Sequence, residues 1–248
     1  MTSSSARGIY GHIGDLSPDY LTIPQTLTIG LRNYEHIAAI PSAIIQSAAD
    51  KSQVEKQFKT HFGEMDTEAK YLEFFLEQFR FVKENKLPEL EVFIAELALK
   101  KATFCSTIHR LYEQFHPTYY SLPNDTSLSL AQTNRCLESF QIMMQCMKMM
   151  QDKGLEIRLG SDGANGGRIN ISELILLCKY GFSVADAFKI ATINGAKAMK
   201  IEDQVGSLET GKQVNLLIWD KDPFADYTNF SLGKTIIKDG QILNKAMW

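Results

Sequence analysis

Cysteine is scarce and unpatterned in this chain. Cys105, Cys136, Cys146 and Cys178 are the four among 248 residues. No two stand at C-x-x-C spacing, so neither a zinc knuckle nor a disulfide framework is indicated, and reduced, buried thiols are expected. Long apolar runs are missing too: no window approaches the ~18 uninterrupted apolar residues that a membrane span needs. The start, Met1 to Gly8, has no basic stretch followed by an apolar one and does not read as a secretory signal. Lys and Arg number 26 against 29 Asp and Glu, giving a net charge of -3 and a pI near 6.0. The cations are scattered, so no basic stripe is there to neutralise phosphates. A G-x-S-x-G elbow, a Cys/His nucleophile pair and both common glycine-rich phosphate motifs are absent as well. These absences predict a soluble, cytoplasmic protein with no nucleic-acid partner and no membrane partner.

What is present is an ordinary globular composition, 44% hydrophobic and 22% charged. Residues 7–45 hold short apolar runs broken by Gly, Pro and Asp, the texture of strand ends leading into loops and short helices. Residues 50–101 are polar and helical in pattern. Tyr71, Leu72, Phe75, Leu76 and Phe79 line one face there, and Pro88 opens a further amphipathic stretch through Val92, Phe93, Leu97 and Leu99. Ala102 to Ile108 reads as a buried strand. A long helix is predicted from about Ser127 to Lys153, with Gly154 at its C-cap and five methionines at 143, 144, 147, 149 and 150 as core filler. Leu155 to Gly160 is a short strand ending in Ser161-Asp162-Gly163. Asn170 with Glu173, and Ser183 with Asp186, read as capping boxes, the second opening a helix through Ala198. Beyond Ile201 the texture turns to β, with Gly206-Ser207-Leu208, Val214 to Trp219, and a hairpin around Asp239-Gly240. Strands alternating with helices argue for parallel β/α units.

Three polar residues stand where a β/α barrel places its reactive groups, at the carboxyl ends of strands: His12 after Gly8–Gly11, His36 after Asn33-Tyr34-Glu35, and Asp162 after Leu155–Gly160. Imidazoles and a carboxylate suit a hydrolytic zinc or similar ion, which acidifies bound water while the Asp takes or relays a proton. Each also has a plain reading, as a hydrogen-bonded structural His or an Asp in a turn. His109, which follows Thr107-Ile108 at the end of the Ala102–Ile108 strand, is a weak candidate for facing substrate, against a surface or helix-start role. Arg168, whose fork suits a carboxylate, is a second, against an ordinary exposed arginine. The glycines of Gly163 to Gly167 read as an active-site loop.

The order of motifs resembles the amidohydrolase superfamily, nearest to its imidazolonepropionase-like and prolidase-like branch. The resemblance rests on Leu159-Gly160-Ser161-Asp162-Gly163, Glu173-Leu174, Ala191 to Ala198 and Val205 to Lys212. It continues through Asn215 to Ile218, Asp222-Pro223 and Lys238-Asp239-Gly240, so that residues 154–243 are covered. Upstream it is weaker, in Gly11-His12 and Tyr34-Glu35-His36. It implies that His12, His36 and Asp162 bind a divalent metal, zinc in the first place, and that Asp162 also serves as the catalytic base. His109 and Arg168 are carried as substrate-binding candidates.

The resemblance also implies an α/β fold: a partial (β/α)8 TIM-type barrel, about the last four β/α units, with a helical insertion and a small C-terminal β appendage. Residues 1–200 would form the barrel part, with the insertion at about 50–101, and 201–248 the strands of a small composite domain. The expected activity is hydrolysis of a C–N bond in a small amide, lactam or peptide. The superfamily's His-x-His strand is absent from this chain, so the metal's occupancy is in question. A homo-oligomer or a missing N-terminal half is therefore expected as partner, and a non-catalytic half-barrel acting only in assembly stands as the alternative.

Overall fold

The structure, a computed structural model, describes residues 22–243 and, as backbone only, the strand His12–Ile13. Gly8 to Gly11, expected to lead into His12, lie outside the described residues, as does the His12 side chain. Four short strands, β1 (His12–Ile13), β2 (Asn33–Tyr34), β3 (Thr103–Cys105) and β4 (Glu156–Arg158), run parallel in the order β1-β2-β3-β4. One rung joins His12, Asn33, Thr103 and Glu156, and the next joins Ile13, Tyr34, Phe104 and Ile157. Side chains alternate across a strand. Tyr34, Phe104 and Ile157 therefore share an apolar face, where the rings of Tyr34 and Phe104 stack at 4.9 Å. Asn33, Thr103, Cys105, Glu156 and Arg158 share the opposite, polar face.

Each connection begins with a local signal. Helix α1 (Ile23–Thr28) starts in a Thr22/Gln25 capping box with Pro24 in its first turn, and Gly30 at φ 89° turns the chain into β2. Between β2 and β3 lie α2 (Ile40–Ile44) and then the helical stretch predicted for residues 50–101, formed by α3 (Ala48–Phe62), α4 (Glu68–Asn85) and α5 (Leu87–Leu99). Ser47 and Thr67 cap α3 and α4 through their side chains. Phe93 and Leu97 of α5 are buried as expected, but Val92 and Leu99 are 72% and 83% exposed. The stripe on α5 is thus narrower than the spacing of apolar residues indicated.

The expected strand Ala102–Ile108 is shorter than predicted. It ends at Cys105, because Thr107 adopts a left-handed φ of 48° and Ile108 already opens α6 (Ile108–Phe115). Helix α7 (Leu130–Asp152) begins in a Ser129/Gln132 capping box, slightly later than predicted, and ends at Gly154 with φ 89°. Its Met143, Met144, Met147 and Met150 are fully buried, as core filler should be. After β4 come α8 (Gly166–Lys179), α9 (Val184–Ala191) and α10 (Ile193–Met199).

Two expectations fail in this part. Helix α8 starts at Gly166, so Asn170 and Glu173 lie inside it and form no capping box. The helix predicted from Ser183 through Ala198 breaks at Thr192, whose φ of -131° and ψ of -89° are not helical. Of the expected Ser183/Asp186 box the side-chain half forms: Ser183 Oγ accepts the Asp186 N–H at 3.0 Å and donates to its carboxylate at 2.7 Å, and Ser183 is the N-cap of α9.

Helices α9 and α10 occupy part of the outer edge at β4. The Leu159 N–H donates to the Ile190 carbonyl at 3.0 Å, and Asn194 Nδ2 donates to the Ile157 carbonyl at 2.8 Å. The terminal residues form a separate antiparallel sheet of β5 (Leu216–Trp219), β6 (Lys234–Lys238) and β7 (Gln241–Leu243). Asp239 (φ 51°) and Gly240 (φ 78°) make the tight turn of the predicted hairpin. Gly206 to Leu208 form no strand. No helix among the described residues is long and apolar enough to cross a membrane.

Candidate active site

The carboxyl ends of β2, β3 and β4 carry the unusual backbone of this sheet. His36 (φ 56°), Thr107 (φ 48°) and Asp162 (φ 42°) each hold a left-handed conformation that costs a non-glycine residue energy, and each follows a different strand. His36 is half-buried and Asp162 exposed. Because β3 runs between β2 and β4, the strands that lead to these two residues are two strand spacings, about 10 Å, apart. The register sets His12 opposite Asn33, three residues ahead of His36. Among the described residues no group of three or more His, Cys, Asp or Glu side chains gathers as a metal site would require. The imidazole and carboxylate present are donors a divalent ion accepts, but the described residues do not complete its ligand set.

On the polar face, Arg158 is buried beneath this rim. Its Nη2 donates to Glu35 Oε1 at 2.9 Å and to the Tyr34 carbonyl at 3.0 Å, and Nη1 lies 3.4 Å from Glu35 Oε2. The fork thereby fixes the residue immediately before His36. Cys105 sits in the same layer, and burial pushes its thiol up to about 12, so it is not a nucleophile at neutral pH.

A denser network surrounds the start of α6. Glu173, fully buried on α8, accepts the Ser106 Oγ–H at 2.5 Å and the His109 N–H at 2.5 Å. It caps α6 from outside, where the N-cap Thr107 offers no side-chain bond. Burial raises its carboxyl to about 8 despite these donors. His109 is buried in the first turn of α6, which fits a helix-start role and excludes a surface one. Its Nδ1 meets Ser172 Oγ at 2.8 Å; its Nε2 lies 3.1 Å from Glu113 Oε2 and 3.0 Å from Tyr120 Oη. A proton on Nε2 donating to Glu113, with Nδ1 accepting from Ser172, satisfies this set. Burial works to raise the Glu113 carboxyl, but His109 and Arg110 outweigh it and hold it below the usual range.

Tyr120 joins the two substrate candidates. Its ring stacks on His109 at 5.5 Å, and the Arg168 guanidinium lies 6.0 Å from its centroid. Arg168 is exposed, and its carbonyl accepts from Tyr119 Oη at 3.1 Å. Ser106, Glu113, Tyr120 and Arg158 are not singled out by the sequence, and Glu173 and Glu35 enter there only as parts of motifs. The available signal was the polar alternation of Asn33/Glu35, Thr103/Cys105 and Glu156/Arg158, in strands that a doubly covered parallel sheet would fill with apolar residues.

A parallel sheet flanked by helices, with polar and strained residues at its carboxyl edge, is the plan of an α/β enzyme. Residues 24–243 match the Amidohydrolase family, and the chain belongs to that family. It is 39% identical over 82 residues to a 5-methylthioadenosine/S-adenosylhomocysteine deaminase of Teredinibacter turnerae, covering 29% of this chain and 19% of the deaminase. It is 32% identical over 108 residues to an imidazolonepropionase of Clostridium tetani, covering 41% of this chain and 26% of that enzyme. In structure it resembles a Xaa-Pro dipeptidase with bound methionine in the active site, at TM-score 0.56 and 15% identity over 98% of this chain and 47% of the dipeptidase. A putative prolidase from Bifidobacterium longum aligns at TM-score 0.53 and 17% identity, over 98% of this chain and 48% of the prolidase. At these identities the likeness shows an α/β amidohydrolase fold. The chain spans less than half the length of these solved structures, and its matched part covers about a quarter or less of each of these two curated relatives.

Proposed function

We propose that this protein hydrolyses a C–N bond in a small amide, lactam or peptide. The observation that carries the reading is the family match, which runs through β2, β3, β4 and the residues at their carboxyl ends. His12, His36 and Asp162 are the proposed ligands of a divalent ion, zinc in the first place, with the rest of the set coming from outside the described residues. Such an ion, when bound, supplies an acidified water. Asp162 is exposed at the mouth of the sheet. Its role in this reading is to take the proton of the attacking water and pass it to the leaving nitrogen. Arg168, held over Tyr120, offers a fork to a substrate carboxylate; His109 reaches substrate only through Tyr120, which it stacks on.

The same reading treats the β1–β4 sheet as about half of a (β/α)8 barrel. Residues 1–200 are assigned to it and 201–248 to the small β domain. A second copy of the chain or a further segment would close the barrel, and the protein would work in the cytoplasm. The test uses chain purified without chelators or a histidine tag. Metal content is measured by plasma mass spectrometry, and hydrolysis is followed on N-acyl amino acids, dipeptides and lactams. Bound zinc with hydrolysis that Asp162→Asn abolishes is the expected result. A chain that binds no divalent ion and hydrolyses none of the panel overturns the proposal.

A further inference from the structure

The side chain of Ser106, at the tip of β3, serves two partners. Its Oγ–H donates to Glu173 Oε2 at 2.5 Å, and the same oxygen lies 3.4 Å from the Gly160 N–H, which it accepts. Gly160 and Glu173 are the two ends of the segment that carries Asp162 and Arg168. One hydroxyl therefore ties both ends of that segment to the neighbouring strand.

The close approach at Gly160 is a second, independent observation. A Cβ there would stand 1.9 Å from Cys105 Sγ and 3.0 Å from Thr107 Oγ1. The exit of β4 thus runs so near the tip of β3 that only glycine fits without displacement. Further along, the Arg168 carbonyl is held by Tyr119 Oη and Ser172 Oγ by His109 Nδ1. Between these anchors Asp162 holds its φ of 42°, a conformation that its surroundings must impose.

Glu173 completes the arrangement. One of its oxygens suffices to cap α6 through the His109 N–H; the other is committed to Ser106. Capping alone does not call for that second bond, and a fully buried carboxyl group is a costly way to fill space.

We propose that Ser106 and Glu173 are positioning residues that fix Asp162 at the mouth of the sheet. The direction of the Asp162 carboxylate is set from β3 and α8 rather than by its own strand. The inference rests on the reading of Asp162 as the reactive carboxylate, and it assigns to Ser106 and Glu173 no contact with substrate.

The experiment is hydrogen exchange by mass spectrometry on the full chain, unmodified and as Ser106→Ala, Ser106→Thr and Glu173→Leu, with hydrolysis of the N-acyl amino acid panel alongside. In Ser106→Ala the amides of 160–168 are expected to exchange about tenfold faster, the order for one lost buried hydrogen bond. Amides of α4 and α7 should stay within about twofold, because no bond of theirs is touched. Ser106→Thr, which keeps the hydroxyl, should restore the protection. Glu173→Leu, which is close in size and removes both acceptors, gives the same reading if Ser106→Ala does not fold. Where hydrolysis is measurable, kcat should fall with KM little changed. Equal exchange at 160–168 in the unmodified chain and the folded variants overturns the positioning role. An unmodified chain that hydrolyses nothing, with the exchange pattern intact, overturns the hydrolase reading instead.

Discussion

Asp162 illustrates how a single residue can trade backbone comfort for placement. A left-handed φ costs an alanine more than a glycine, by about 1 kcal/mol. Asp162→Gly should therefore be more stable than Asp162→Ala by roughly that amount in urea unfolding, although both remove the carboxylate. Gly160 makes the converse case. Gly160→Ala forces a methyl against Cys105 and should cost ~1–3 kcal/mol, with part of the loss recovered in the Gly160→Ala/Cys105→Ala double variant. The places of Asp162 and His36 were readable in sequence because each follows a segment that reads as a short strand. Glu173 was misread. Its spacing from Asn170 imitates a capping box, yet it caps a different helix across the sheet's edge, a relation that spacing along one segment cannot reveal.

At the scale of elements, the pairing of α4 with α7 rests on a buried polar seam. Glu77, 1% exposed, accepts from Arg135 Nη2 at 2.6 Å and from Ser139 Oγ at 3.0 Å, and Arg80 Nε donates to Ser139 at 2.9 Å. Removing Arg135 leaves the buried Glu77 carboxylate with Arg80, whose Nε lies 3.7 Å away, as its remaining cation. Arg135→Ala should destabilise the protein by ~1–3 kcal/mol, the cost of leaving a buried acceptor without its donor, whereas replacing Arg135 and Glu77 together with methionine should cost less; chemical unfolding distinguishes the two. Helical periodicity disclosed both helices, because the apolar stripe carries the 3.6-residue repeat. It left the seam hidden, since Glu and Arg in a helix ordinarily mark a solvated face.

For the whole molecule, two buried carboxylates set the response to pH. Burial, aided by the charge of Asp125 and opposed by Lys70, raises Glu73 to about 8, and burial raises Glu173 likewise. The folded state thus holds these protons more tightly than the unfolded chain, where a glutamate titrates near ~4.3. The stability they contribute is complete below that value and is lost as the pH climbs toward 8. Melting temperature should fall between these limits, and Glu73→Gln should flatten the slope. The arrangement of the sheet was legible in outline from alternating strand and helix patterns, and the terminal hairpin from its Asp-Gly turn. The short reach of β2 and β3 was not, because each is followed two residues on by a residue at positive φ, His36 or Thr107, and local propensity does not report that.

The β2–β3 pairing has a kinetic consequence. Asn33 and Thr103 are partners on one rung, yet all of α2 to α5 lies between them in the chain. Each doubling of a flexible loop adds only about 0.6 kcal/mol to its closure, but the search for so distant a partner is slow. The intervening helices shorten that search if they assemble first, since α2, α3 and α5 all pack on α4 within the segment. Refolding followed by stopped-flow should then show helical signal before burial of the Tyr34–Phe104 stack, and lengthening the Gly63–Asp66 connection should delay the second phase more than the first.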